Sequence, residues 1–140
     1  MKISARNVLP GTVKSVEKGA VNAEVVLTLW GGETAASIIT NASVDALQLE
    51  PGKSVFAIIK ASEVMIGKNL EGAKLSARNI LNGKISELTD GAVNSEVGIQ
   101  LPGGTTLVAS ITKASVKALD LKQGDAVCAI VKASHVILGI

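Results

Sequence analysis

Aromatic side chains are almost missing from this 140-residue chain, which has one Trp, one Phe and no Tyr. Folds that grip single-stranded nucleic acid stack its bases on aromatic platforms. The formal charge of only +2 also supplies no basic stripe. No nucleic-acid partner is expected. The single cysteine, Cys128, excludes an internal disulfide. The single histidine, His135, has no second His or Cys to make a metal-cation site, and no Ser-His-Asp set is available. The chain therefore reads as a non-enzyme. No apolar run is long enough to span a bilayer, and Met1–Arg6 lacks the apolar core of a signal peptide. These features lead us to expect a cytoplasmic protein with no membrane partner.

What is present is one module written twice. Ser4-Ala5-Arg6-Asn7 returns as Ser76-Ala77-Arg78-Asn79, Gly19-Ala20-Val21-Asn22 as Gly91-Ala92-Val93-Asn94, and Lys60-Ala61-Ser62 as Lys132-Ala133-Ser134. The offset is constant, so no gap is needed, and roughly half of the aligned positions are identical. The reading is a domain at 1–68, a short polar linker at 69–72 and a second domain at 73–140. Modules this small bury little surface alone and usually need a partner.

The duplication serves as an internal comparison. Polar residues kept by both copies include Ser4/Ser76, Arg6/Arg78, Asn7/Asn79, Asn22/Asn94, Glu24/Glu96, Thr40/Thr112, Ser43/Ser115, Lys60/Lys132 and Ser62/Ser134. Other charges drift: Lys18 matches Asp90, Asp45 matches Lys117, and Lys53 matches Asp125. Such exchanges are expected of solvated faces, where charges contribute little. The only two arginines fall on the same repeat position. Arginine is demanded where a planar fork of donors meets an oxyanion. Phe56 matches Cys128, so Cys128 is expected to be a small core residue.

Within each copy the pattern is mostly strand. Asn7–Val16 is expected to be a long strand bent or bulged at Gly11. A turn at 17–19 leads into a strand at 21–29, the Gly31-Gly32 hairpin and a third strand at 34–39. Thr40 then caps a short helix through Leu47. The Pro51-Gly52 turn precedes strands at 54–60 and 63–66. Five short strands with one helix between the third and fourth describe an all-β, OB-like Greek-key barrel, here in tandem.

These motifs together resemble the Mop, or molbindin, domain of the TOBE group of OB-like folds. They are the Ser-Ala-Arg-Asn start, the Gly-Ala-Val-Asn-x-Glu-Val centre, Ile-Thr-x-x-Ser, and Lys-Ala-Ser near the end. The match covers the whole chain twice, as in a di-Mop protein. The resemblance implies binding of molybdate, often tungstate too, at sites between domains, for molybdenum storage or homeostasis. It implies six Mop domains per assembly, reached here by a homotrimer, and no organic cofactor. It places oxyanion ligands at Ser4, Ala5, Arg6, Thr40, Ser43, Lys60, Ala61 and Ser62. The second copy matches with Ser76, Ala77, Arg78, Thr112, Ser115, Lys132, Ala133 and Ser134. A second class of oxyanion site falls on the turns Gly19, Ala20, Val21, Asn22 and Gly91, Ala92, Val93, Asn94.

The chemistry of these residues suits a tetrahedral dianion. All four of its oxygens are acceptors, so a site must supply donors and offset charge, as Arg, Lys, Ser, Thr and backbone N–H groups do. Glu24 and Glu96 are expected to pair with Arg or Lys, or to sit at an interface, rather than touch the anion. Two other functions stay open at this point. One is a molybdate-sensing module that docks on a partner, and the other is binding of a molybdenum–pterin species.

Overall fold

The computed structural model describes residues 1–140. The first repeat forms β1 (Asn7–Lys18), β2 (Asn22–Leu29), β3 (Thr34–Thr40), helix α1 (Asn41–Ala46), β4 (Ser54–Ile59) and, after a 3-10 turn at Ala61–Glu63, β5 (Met65–Gly67). The second repeats the plan with β6 (Asn79–Asp90), β7 (Asn94–Gln100), β8 (Thr106–Thr112), α2 (Lys113–Ala118), β9 (Ala126–Val131), a 3-10 turn at Ala133–His135 and β10 (Ile137–Gly139).

Local chemistry explains most boundaries. In β2, Ala23, Val25, Leu27 and Leu29 are buried while the residues between them are not. That is the period-2 signature of a strand with one face on the core. Thr40 ends β3 and caps α1: its Oγ1 accepts from the Ser43 N–H at 3.1 Å, and Thr112 does the same for Ser115. The cap satisfies one of the free amides at a helix start. Gly32 and Gly104, at φ +92° and +94°, turn the two hairpins where a side chain would be strained.

Gly11 is not the bulge. The register of β1 on β2 shifts between Val13 and Ser15, and that of β6 on β7 between Ile85 and Glu87. Gly11 is instead a point of close approach, since a Cβ there would stand 2.8 Å from the Thr28 carbonyl oxygen. Its repeat counterpart Gly83 shows the same constraint, at 2.6 Å from Gln100 O.

The larger departure from expectation concerns the last strand of each repeat. The two five-stranded sheets run β10-β4-β1-β2-β3 and β5-β9-β6-β7-β8. Each repeat thus completes the other's sheet. Ile137, Leu138 and Gly139 pair with Ile58, Ala57 and Phe56, while Met65, Ile66 and Gly67 pair with Ile130, Ala129 and Cys128. The closing strand read at 63–66 therefore begins two residues later and belongs to the opposite barrel. One cluster of 25 buried apolar residues runs through both repeats, from Leu9 to Leu138, so they share a core.

Cys128 is not in that core. On β9 the inward positions are Val127, Ala129 and Val131. Cys128 alternates to the outer side, where its thiol lies 3.0 Å from Asn82 Oδ1. Its counterpart Phe56 is likewise partly exposed, at 36%.

Candidate functional site

The exchange of strands brings retained residues of one repeat against the other. Asn7 and Asn79, both buried, each reach the third strand of the opposite repeat. Asn7 Nδ2 donates to Val108 O at 2.8 Å, and Asn7 Oδ1 accepts from the Val108 N–H at 2.7 Å. Asn79 does the same with both backbone groups of Ala36, at 2.8 and 2.7 Å. An amide side chain offers a donor and an acceptor, so it pairs with a strand as another strand would. Sequence reasoning noted that both copies keep this Asn but assigned it no role. Ser37 adds a further tie, its hydroxyl donating to Val136 O at 2.6 Å.

These ties set β3 beside the 3-10 turn at Ala133–His135, and β8 beside the turn at Ala61–Glu63. Between β3 and that turn lies a groove of about 280 Å³, whose polar lining is Thr40 and Ser43 from the first repeat and Ser134 from the second. Its apolar walls include Ile38, Val136 and Leu138. Thr40 and Ser43 hydroxyls are 2.9 Å apart; Thr112 and Ser115 are 2.8 Å apart. So Thr40 and Ser43 meet Ser134, not Ser62 of their own repeat.

Lys60 and Lys132 stand immediately before the 3-10 turns. Both are exposed, and neither ammonium is paired with a carboxylate. Ala61 and Ala133 are buried beneath them, at 8% and 2%. Ser4 and Ser76 lie exposed in the irregular segments leading into β1 and β6, with Ala5 and Ala77 half-buried behind them.

The arginines are held across the repeats by the retained acids. Arg78 Nη2 donates to Glu24 Oε1 at 2.8 Å, and Arg6 Nη2 donates to Glu96 Oε1. Of the two expectations for these acids, pairing or an interface position, the structure shows pairing, and the cation is the opposite repeat's arginine.

The Gly-Ala-Val-Asn segments form exposed turns. Gly19 N–H donates to Asn22 O at 2.7 Å and Gly91 N–H to Asn94 O at 2.8 Å. The amides of Ala20, Val21, Ala92 and Val93 find no acceptor within the chain, and all four residues are exposed. The turns differ in one neighbour: Asn41 Nδ2 donates to Gly19 O at 2.9 Å, while Lys113 stands at the matching position of the second repeat.

His135 and Glu63 occupy the same repeat position and meet each other, Nδ1 to Oε2 at 2.8 Å. A contact between equivalent residues marks the approximate two-fold axis relating the repeats.

The TOBE domain pattern matches residues 3–66 and again 75–138. The chain belongs to the TOBE domain family. Its TOBE pair superposes on the crystal structure of the cytoplasmic molybdate-binding protein ModG with molybdate bound. The TM-score is 0.97 and the identity 48%, over 100% of this chain and 99% of that one. The molybdenum-pterin-binding protein MopA of Rhodobacter capsulatus is 44% identical over the whole of this chain, which spans 53% of MopA. The molybdenum transport protein ModE of Azotobacter vinelandii is 42% identical over the same length, 52% of that protein. The chain thus spans about half the length of these two curated relatives.

Proposed function

We propose that this chain is a molybdate-binding protein, taking tungstate as well, that stores the oxyanion and releases it reversibly. Its sites are shared between repeats. The observation that carries this reading is the groove in which Thr40 and Ser43 of one repeat face Ser134 of the other, with the unpaired Lys132 two residues away. It presents hydroxyl donors, and no carboxylate lines it. The full-length likeness to ModG supports the same ligand. Ser4, Arg6, Lys60 and Ser62, with Thr112 and Ser115, furnish the matching set at the other end. The exposed amides of the Gly-Ala-Val-Asn turns are proposed as the second class of site. The protein is not an enzyme in this reading: the relatives above are named as binding and transport proteins.

A homotrimer is part of this reading. Phe56, Met65, Ile80 and Ile137 are exposed apolar side chains on the outer faces of the sheets, Ile137 at 60%. Apolar surface of that kind is characteristic of interfaces.

Calorimetric titration of the full chain with molybdate, tungstate, sulfate and phosphate, alongside native mass spectrometry, tests the proposal. Tight binding of the first two anions, weak binding of the others and a trimeric mass are expected. Equal affinity for sulfate and molybdate would overturn it.

A further inference from the structure

Of all the acidic positions in the two repeats, a single one is shared: Glu24 and Glu96. Glu24 lies beside a groove whose proposed ligand is itself an anion, and Glu96 holds the matching position in the second repeat. Glu24 is opposite Ile38 in the β2–β3 register, and Glu96 is opposite Ser110 in the β7–β8 register. Opposed residues of an antiparallel pair project from the same face of the sheet. Ile38 lines the groove of Thr40, Ser43 and Ser134. Glu24, with the Arg78 guanidinium that it holds, is therefore the cross-strand neighbour of a residue in the groove's wall.

A carboxylate placed there opposes binding of a dianion. Stability does not explain its presence, because the pairs are solvated. The side chains of Arg78 and Glu24 are 52% and 30% exposed, and those of Arg6 and Glu96 are 57% and 45% exposed. Exposed ion pairs contribute little to folding. Nor is the arginine consumed by the pair: one Nη2–H is engaged in each, and a guanidinium carries several further N–H donors.

We propose that Glu24 and Glu96 are positioning residues that set the anion affinity. Each carboxylate holds its arginine's fork at the groove margin when no ligand is present, and lowers the local positive field so that a tetrahedral dianion is bound reversibly. An arriving anion shares the guanidinium with the carboxylate. Loss of the anion leaves the arginine already partnered. The inference rests on the reading of the groove as an oxyanion site.

The test is the full-length E24Q/E96Q variant. Glutamine keeps an acceptor oxygen for the arginine N–H and removes only the charge. Molybdate affinity is measured by calorimetry for wild type and variant at low and high salt, with the thermal midpoint of each. The variant should bind about tenfold more tightly at low salt, from the loss of a nearby like charge, and the gap should narrow at high salt as that charge is screened. A purely structural tie would move the thermal midpoint and leave the salt-dependent affinity gap absent. Wild-type or weaker affinity in the variant, or its failure to fold, overturns the proposal. A wild-type chain that binds no molybdate instead overturns the functional reading beneath it.

Discussion

The two repeats solve one problem with different residues. Both helices are followed, two residues on, by a residue of positive φ, Gln48 at 50° and Asp120 at 46°, and both leave carbonyls for a cation to bond. In the first repeat Lys53 answers from nearby, its ammonium donating to Leu47 O at 2.6 Å and Gln48 O at 3.3 Å. The second repeat has Asp125 at the matching position. Lys68, from the connection between repeats, takes over there. Its ammonium donates to Asp120 O at 2.7 Å, Leu119 O at 3.3 Å and Asp125 Oδ2 at 2.9 Å. A cation over the last carbonyls is kept in space, while the position in the chain that supplies it moves. Lys68, the last residue of the first domain as read from the sequence, is thus part of the second barrel's structure.

A similar lesson covers charges that seem to drift. Lys18 and Asp45, reversed together in the second repeat, form an ion pair in the first. Their counterparts Asp90 and Lys117 line one surface hollow with Lys113. Two exchanges that look independent along the chain are a single exchange between neighbours.

The largest effect is expected where the repeats are tied by buried amides. Asn79→Ala leaves both backbone groups of Ala36 without their partner, at a cost of about 2–4 kcal/mol. Asn7→Ala should cost at least as much, because Asn7 Nδ2 also donates to Ile59 O at 3.2 Å. Chemical denaturation of the two variants checks the order. A loss below about 1 kcal/mol for either would show that water replaces the amide at no cost.

A smaller effect separates Lys53 from Lys68. Lys68→Ala should lower the thermal midpoint by a few degrees, and more than Lys53→Ala, because only Lys68 also meets a carboxylate. Its hydrogen bond, with that from the Lys122 N–H, holds the Asp125 carboxyl below its ordinary value. A lowered folded-state value means that the unfolded chain takes up the proton first. This contribution is present above the ordinary carboxylate range, near about 4, and is lost as pH falls through the lower folded value. Thermal scans from pH 6 down to pH 3 should show the Lys68→Ala difference shrinking with acid and the Lys53→Ala difference holding steady. Parallel curves would remove Asp125 from the account.

The smallest effect tests the exchanged pair. Lys18→Asp alone should cost no more than about 1 kcal/mol, and adding Asp45→Lys should recover it. A double-mutant cycle without recovery would make the two exchanges independent after all.

Much of each barrel was legible from local chemistry. The alternating strands, the Thr40 and Thr112 caps and the Gly-Gly hairpins follow from residue type and spacing. The exchange of β5 and β10 was not legible. Two near-identical repeats offer the same apolar alternation and the same ladder groups to either partner, so no pattern along the chain distinguishes pairing within a copy from pairing between copies. Cys128 was misplaced for a related reason: a short apolar strand does not announce which of its faces points inward. At the candidate site, the residue types were legible from their retention, but their grouping was not, because Thr40 and Ser43 meet Ser134 through the exchange. The Arg–Glu pairs needed the same exchange to be seen.

That exchange also orders events during synthesis. The β4 edge that receives β10 lies at Phe56–Ile58, and the strand that covers it is Ile137–Gly139. A ribosome emits residues in sequence, so the first barrel waits with an unpaired edge until the second repeat has emerged as far as Ile137–Gly139. Pairing of such distant segments is slow to form, and an open apolar strand edge invites pairing with another chain in the meantime. Folding of the first repeat is therefore completed by the closing strand of the second.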